Sequence, residues 1–248
     1  RFDRNCVSHW QTEGEPCAAF DTAPDQCGDE AMLDVSWMNE LTACAKVTTS
    51  GMSECVTKPA GAGIDNVDFV IIVKAADSIT CKNSPSTLGY AHACRYDQND
   101  RPILGFINFC PNAVSDADDG TAISTAAHEL GHALGFSAST WPSMRMNDGT
   151  TPRTSRDESG QPAKGAIKCS NGQNAKDERP AASSTLKRGT SRGNPNTFTL
   201  VTPAVREEAR RHFGCNTLDG MELENQPTGQ NSCWGSHWEQ RVLNNELM

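Results

Sequence analysis

The sequence lacks any apolar run long enough to cross a membrane as a helix. Such a span needs about 18–20 residues, and the longest apolar stretch, Phe69–Val73, has only the length of a buried strand. An excess of positive charge is also missing, because 31 Asp and Glu outnumber 22 Lys and Arg and give a net charge of −9. This balance argues against a nucleic-acid partner. We therefore expect no membrane-spanning segment here, and any surface anchoring would depend on regions outside this sequence.

The sequence also has no C-x-x-C pair, although it contains 11 cysteines in 248 residues. Their wide spacing argues against a zinc ribbon, and their number favours disulfides formed in an oxidising compartment. We thus expect an extracellular or cell-surface protein stapled by disulfides. The odd count leaves one thiol either free or paired outside this chain. Because Arg1 opens no signal-peptide pattern, any signal or pro-segment lies outside this numbering.

The strongest motif present is H-E-x-x-H, formed by His128, Glu129 and His132. On a helix, two histidines four residues apart share one face, so both imidazoles can bind one Zn²⁺. A glutamate beside the first histidine then lies next to the metal and can act as general base. The pattern predicts a zinc hydrolase.

The residues around this motif predict a helix. Asp118 and Asp119 precede it, where the positive end of a helix dipole favours acidic side chains. Gly135 follows it, and glycine tolerates the left-handed conformation that ends helices. The apolar residues at helical spacing predict a buried stripe: Ile123, Ala126, Ala127, Leu130, Ala133 and Leu134.

Residues 1–138 are predicted to form an N-terminal catalytic lobe that ends with this helix. Within it, a helix is predicted between Asp29 and Lys46 from apolar spacing, and a buried central strand over Val67–Ala76. A further strand, Ile103–Pro111, is interpreted as a rim strand whose free edge can accept a peptide. The tentative substrate-binding residues are Gly105, Phe106, Ile107 and Asn108.

The remaining sequence divides into two parts. Residues 139–200 are rich in proline, glycine and charge, which predicts a long polar loop insertion. Residues 201–248 begin a C-terminal lobe with a helix from Thr202 to Gly214, marked by proline in its first turn. Of the remaining histidines, His9 and His92 are interpreted as structural or surface residues, and His212 as complementing the dipole of this helix.

The third ligand of a catalytic zinc is missing from its compact position. A catalytic zinc usually has three protein ligands, and the metzincin pattern places a third histidine three residues after the glycine. Here that residue is Ala138. The third ligand must therefore come from elsewhere in the chain.

Several segments resemble leishmanolysin, the surface metalloprotease family of kinetoplastids and its relatives. These are His128–Ser137, the Gly235-Ser236-His237 segment, Asn245–Met248 and His212–Gln226, with shorter likenesses at Asp68–Val70 and Gly105–Asn108. The resemblance covers roughly residues 55–138 and 201–248. It implies a metzincin-like α+β catalytic domain with a twisted mixed sheet, an active-site helix and a smaller C-terminal lobe.

The resemblance also implies the site. Zn²⁺ would be bound by His128, His132 and His237, with Glu129 as general base and Met248 as a methionine turn beneath the metal. The implied function is zinc-dependent hydrolysis of peptide bonds in extracellular or surface proteins.

The same resemblance bears on the cysteines. It implies that Cys55 pairs with Cys94, and that Cys215 pairs with a cysteine of a C-terminal domain outside this sequence. Elimination leaves two further pairs, Cys81–Cys110 and Cys169–Cys233.

Two alternatives remain. The domain can be a catalytically silent structural or adhesive module of a larger extracellular assembly, although an intact Glu129 argues against this. It can also be a latent form in which a cysteine fills the open metal position. Cys6 is a remote candidate for that role, and a disulfide is the favoured state of Cys6.

Overall fold

The chain folds into two compact units that both use helices and strands. In this computed structural model the first unit comprises residues 1–95 and 102–122, and the second comprises residues 96–101 and 123–248. The mixed α+β class predicted from sequence is confirmed. None of the helices described is long and apolar enough to span a membrane. The structure describes residues 1–4, 6–9, 17–20, 25–28, 31–48, 51–158, 160–166, 179–191, 194–224, 235–240, 242–243 and 248.

The first unit contains a four-stranded and a three-stranded sheet. Its strands are β1 (Cys6–His9), β2 (Cys17–Phe20), β3 (Leu41–Thr48), β4 (Gly51–Lys58), β5 (Val70–Lys74), β6 (Gly89–Tyr96) and β7 (Pro102–Phe109). Its helices are α1 (Ile79–Asn83), α2 (Pro111–Val114) and the first turn of α3 (Asp119–Ala133). The strand orders are β1-β2-β3-β4 and β5-β7-β6.

The helix predicted between Asp29 and Lys46 is wrong. Residues from Leu41 onward form β3, which pairs antiparallel with β4, and only Val35–Trp37 forms a short 3₁₀ turn. The Cys44–Cys55 disulfide joins two residues that face each other in this pairing. Strand pairing and a covalent cross-link therefore override the helical spacing of the apolar residues.

The three-stranded sheet reverses the predicted positions of two strands. β7 lies in the middle, between its parallel neighbour β5 and β6. Leu104 and Phe106 of β7 are fully buried, whereas β5 is half-buried and ends in exposed residues. The strands predicted at 67–76 and 103–111 are both present, but the predicted positions, central for the first and at the edge for the second, are wrong. A continuous apolar run indicates a buried strand, but it does not give the order of strands in a sheet.

Three disulfides of the first unit join pairs of described cysteines, and Cys17 is disulfide-bonded as well. The Cys81–Cys110 pair predicted by elimination is confirmed. The Cys55–Cys94 pair implied by the family resemblance is wrong, because Cys94 bonds Cys27 and Cys55 bonds Cys44. The predicted Cys169–Cys233 pair lies outside the described residues. Cys215 is a free thiol in this structure.

The second unit is built around a core that residues 139–200 largely supply. Its elements are most of α3, β8 (Leu186–Ser191), β9 (Asn194–Leu200), α4 (Pro203–Phe213), β10 (Met221–Leu223) and a 3₁₀ turn at Trp141–Ser143. The core residues are Trp141, Leu186, Phe198, Leu200 and Leu223, with Phe136 and Trp238 packed against them. The strand order is β10-β9-β8, with both pairings antiparallel.

The segment predicted as a loop insertion thus contributes two strands and much of a core. The predicted helix after Thr202 is confirmed, and Gly214 ends it in the left-handed conformation with φ 61°. Ion pairs from Arg145 and Arg156 to Asp100 tie the irregular part of the segment to the turn at residues 96–101. Sparse apolar residues within a polar segment can therefore still build a core.

A substitution of Trp141 tests the packing of the core in the second unit. The side chain is 1% exposed and contacts the Phe136 ring edge-to-face, with 5.0 Å between ring centroids. We expect Trp141→Ala to lower the free energy of unfolding by about 3–5 kcal/mol, because the cavity it leaves cannot collapse fully. Denaturant unfolding followed by circular dichroism measures the change. Phe213→Ala, at a 40% exposed aromatic, is the control and should cost clearly less. Equal costs would show that residues 139–200 are not part of the core.

Candidate metal centre

Helix α3 carries two of the three histidines and is held at both ends by local interactions. The Asp118 carboxylate accepts hydrogen bonds from the backbone N–H and the hydroxyl of Thr121, at 2.9 and 3.0 Å. The hydrogen bond from this backbone N–H lowers the pKa of Asp118. At the other end Gly135 has φ 100°, which confirms the predicted stop.

The apolar stripe predicted for α3 is only partly buried. Ala133 is fully buried, but Ile123, Leu130 and Leu134 are 70%, 40% and 53% exposed. The prediction is wrong for these three residues. The buried face is instead set by Glu129 and Ala133, which are four residues apart. The buried face of the helix is therefore the one that carries Glu129, and not the predicted apolar stripe.

The third histidine is placed by strand pairing. Residues 235–239 run antiparallel to the end of β10, with Leu223 opposite Trp238 in an isolated bridge. The backbone N–H of Glu239 donates to the carbonyl of Glu222, at 2.9 Å. The segment of His237 therefore extends the β8-β9-β10 sheet. Strands β8 and β9, which lie in the segment predicted as an insertion, therefore support the strand next to which this histidine lies.

The three imidazoles meet at their Nε2 atoms. The Nε2 atom of His132 lies 3.1 Å from that of His128 and 3.2 Å from that of His237, and the third separation is 3.2 Å. Four ligands around Zn²⁺ at about 2.0–2.1 Å in tetrahedral geometry would lie about 3.3 Å apart. The three observed separations therefore fit a zinc ion with one position left for another ligand.

The outer nitrogens of two rings fix which nitrogen faces the centre. His132 Nδ1 donates to the carbonyl of Phe136 at 2.7 Å, just past the Gly135 turn. His237 Nδ1 lies 2.7 Å from the Glu224 carboxylate. Because each Nδ1 carries a proton, the lone pair of the neutral form of either ring lies on Nε2 and points toward the other imidazoles. Lone pairs this close repel unless a cation lies between them, so the arrangement suits a metal.

Burial and hydrogen bonding shift the pKa values of these groups. Burial lowers the pKa of His132 and so favours the neutral ring that binds metals. The hydrogen bond from His237 lowers the pKa of Glu224 and keeps its carboxylate charged. Both shifts favour the protonation states that a metal centre requires.

Glu129 lies on the enclosed face of α3 and is 6% exposed. Burial raises the pKa of its carboxyl group, and the positive charge that His128 and His237 can carry opposes this effect. Glu129 directly follows His128, the first histidine of the motif. This position is the one that the H-E-x-x-H pattern predicts.

Met248 lies against α3 between the two histidines of the motif. A Cβ atom at Gly131 would lie 2.6 Å from the Met248 sulfur, so only glycine permits this approach. The Met248 carbonyl also accepts a hydrogen bond from the backbone N–H of Trp238, at 3.2 Å. Met248 is therefore held next to the residue that follows the third histidine.

The other predicted site residues each have surroundings of their own. Asn108 is fully buried, and its side-chain amide exchanges two hydrogen bonds with the backbone of Ala76. Gly105, Phe106 and Ile107 are buried in the same central strand, so their backbone has no free edge for a peptide. His212 is exposed at the end of α4. His92 lies beside Phe106, with 5.6 Å between ring centroids.

Three contributors to the site were not predicted from sequence. Ser236 accepts a hydrogen bond from the backbone N–H of Ala138 at 2.9 Å, which connects the third-ligand segment to the turn after α3. The Phe136 carbonyl and the Glu224 carboxylate are the other two. A carbonyl carries no sequence signal. Glu224 lies 13 residues before His237, a spacing that no local periodicity reveals.

The comparisons with known proteins agree with this geometry. The family model for leishmanolysin matches residues 39–248. A leishmanolysin-like peptidase of Caenorhabditis elegans and one of Drosophila melanogaster are each 35% identical to the whole chain, which spans 37% and 36% of their lengths. A ciliated left-right organizer metallopeptidase of mouse is 32% identical over 77% of the chain and 24% of its own length.

A mixed α+β unit with H-E-x-x-H on a helix and a remote third histidine defines a metzincin-like metallopeptidase domain. The chain belongs to the leishmanolysin family, which confirms the resemblance stated from its motifs. That family is a family of zinc-dependent peptidases. The chain spans about a third of the length of the leishmanolysin-like relatives named above.

The turn at Gly135 provides a test of the metal centre. We expect Gly135→Ala to weaken zinc binding, because a φ of 100° strains any residue with a Cβ and displaces the Phe136 carbonyl that orients His132. Competition with a chromogenic chelator measures the affinity, and the expected loss is about 10-fold.

The control is Gly149→Ala, which introduces similar strain at φ 72° with open space around the new methyl group. It should cost stability, about 1 kcal/mol, and leave zinc affinity unchanged. An unchanged affinity in Gly135→Ala would contradict the role given to this turn.

Proposed function

We propose that this chain contains the catalytic centre of a zinc-dependent endopeptidase that hydrolyses peptide bonds of extracellular or surface proteins. One observation carries the proposal: three Nε2 atoms lie 3.1–3.2 Å apart beside a buried glutamate. The disulfides of the first unit fit an oxidising compartment. The substrate would be a peptide or protein.

His128, His132 and His237 would hold the ion, each through Nε2. When bound, Zn²⁺ polarises the scissile carbonyl and lowers the pKa of water to about 7. The protein contributes the ring orientations, because the Phe136 carbonyl and the Glu224 carboxylate fix two of the three tautomers. A site of this kind needs no rearrangement of its ligands before it binds metal.

Glu129 would transfer the protons of the reaction. Its carboxylate accepts a proton from the attacking water and then donates it to the leaving amine. The position on the enclosed face of α3 favours this role, because the carboxylate is shielded from bulk solvent. Met248 would form an apolar floor beneath the centre and bind no metal.

A structural or adhesive module is the second candidate function. A structural zinc site is normally closed by four protein ligands. Among the residues that the structure describes, the cluster brings together three. A buried Glu129 directly after the first of these histidines favours catalysis. The latent form with Cys6 at the centre concerns a side chain outside the described residues. Surface anchoring and membership of a larger assembly are further proposals of the same kind.

Glu129→Ala tests the general base. We expect kcat/KM for an internally quenched peptide to fall by about 10²–10⁴-fold, since the variant loses the carboxylate that takes the proton. Zinc content measured by mass spectrometry should stay at the wild-type level, because Glu129 is no ligand. Glu207→Ala, at an exposed position on α4, is the control and should retain full activity. Substantial hydrolysis by the Glu129 variant would refute this role.

The identity of the third ligand is tested by a pair of histidine variants. His237→Ala should lose stoichiometric zinc and activity, because two histidines leave the ion without its third protein ligand. His212→Ala should keep both, since that ring lies exposed at the end of α4. Equilibrium dialysis against buffered zinc and peptide hydrolysis give the two readouts. The reverse pattern would transfer the ligand role to His212.

A further inference from the structure

Glu224 is joined to the segment of His237 by its backbone and by its side chain. Its backbone N–H donates to the His237 carbonyl at 3.0 Å, and its carbonyl accepts from the Gly235 N–H at 2.9 Å. Its carboxylate lies 2.7 Å from His237 Nδ1. The backbone contacts place the histidine opposite Glu224, and the side-chain contact orients the ring.

The side-chain contact determines what His237 presents to the other histidines. A carboxylate accepts hydrogen bonds only, so it places the ring proton on Nδ1. Nε2 then carries the lone pair and faces the Nε2 atoms of His128 and His132, each 3.2 Å away. The negative charge also makes the ring a stronger electron donor toward a metal.

Gly235 leaves the space that the carboxylate occupies. A Cβ atom at this position would lie well inside the van der Waals contact distance of the Glu224 carboxyl group. The clash involves the same oxygen that contacts His237 Nδ1. Any residue larger than glycine would therefore push the carboxylate away from the ring. This gives a physical reason for glycine two residues before the third histidine.

The contact differs from the exposed ion pairs of the molecule. The Glu224 side chain is 21% exposed, whereas the Lys187–Asp219 pair is 54% and 60% exposed. A partly enclosed carboxylate with a fixed partner orients that partner more firmly than a solvated one. The three contacts from one residue also restrict both the backbone and the ring of His237.

We propose that Glu224 is a positioning residue for the metal centre, that it orients His237 through Nδ1, and that Gly235 makes this contact possible. The inference rests on the proposed function, in which His237 binds zinc. Glu224 touches neither substrate nor the metal. Its effect is expected in metal affinity and in the symmetry of the bound ion's environment.

The test compares Glu224→Ala, Glu224→Gln and Gly235→Ala with the wild-type chain. Zinc dissociation constants come from competition with a chromogenic chelator, and the visible absorption of the Co²⁺-substituted protein reports ligand geometry. We expect Glu224→Ala to bind zinc about 10–100-fold more weakly and to change the Co²⁺ spectrum. Glu224→Gln keeps an acceptor for Nδ1–H and should recover part of the affinity. Gly235→Ala should behave like Glu224→Ala.

Two controls separate orientation of the ligand from general loss of structure. Glu207→Ala removes an exposed carboxylate and should leave affinity unchanged. His237→Ala should lose stoichiometric zinc, a larger loss than that of Glu224→Ala, because it removes the ring that Glu224 orients. Circular dichroism of the metal-free proteins reports whether the variants fold.

The outcomes distinguish this inference from the proposed function. A wild-type chain that binds no zinc would overturn the proposed function, and this inference with it. A wild-type chain that binds zinc while Glu224→Ala binds within two-fold of it would overturn only the role of Glu224. Equal losses in the Ala and Gln variants, accompanied by equally lowered stability of the metal-free protein, would also overturn it in favour of a purely structural role.

Discussion

The second unit depends on bringing three imidazole nitrogens within 3.2 Å of one another. Helix α3 alone supplies two of them, because its periodicity places residues four apart on one face. The third nitrogen belongs to His237, which lies outside this helix. It requires a separate element, held rigidly at a distance of 105 residues from His132 along the chain. The packing of the unit can be understood as the means of fixing that element.

An extended sheet holds the element that carries His237. β8 and β9 pair with β10, and β10 in turn pairs with residues 235–239, so His237 is the outermost contribution of four consecutive antiparallel segments. Trp141 and Leu223 bury the face of this sheet. The segment between residues 139 and 200 is therefore not an accessory to the active helix. Its strands determine where His237 lies.

The sequence predicts what is local and misses what depends on distant pairing. The α3 helix, its stop at Gly135 and the helix after Thr202 follow from capping residues and 3.6-residue periodicity. The positions of β5 and β7 within their sheet do not, because apolar runs record burial and not strand order. Disulfide connectivity is equally non-local, and the Cys55–Cys94 pairing failed for that reason. The motif residues predict a zinc site. They do not predict the contact between Glu224 and His237, because that contact depends on the pairing of the His237 segment with β10.

The outer hydrogen bonds explain why such a centre can form before metal arrives. Imidazole nitrogens whose lone pairs converge repel one another, and water would normally separate them. Each constrained ring is instead held from behind, His132 by the Phe136 carbonyl and His237 by Glu224. These contacts offset the repulsion while the chain folds. Protein packing compensates for the entropy lost when the histidine side chains are ordered. A bound cation would replace the repulsion between the nitrogens by favourable contacts, so the ordered rings favour metal binding.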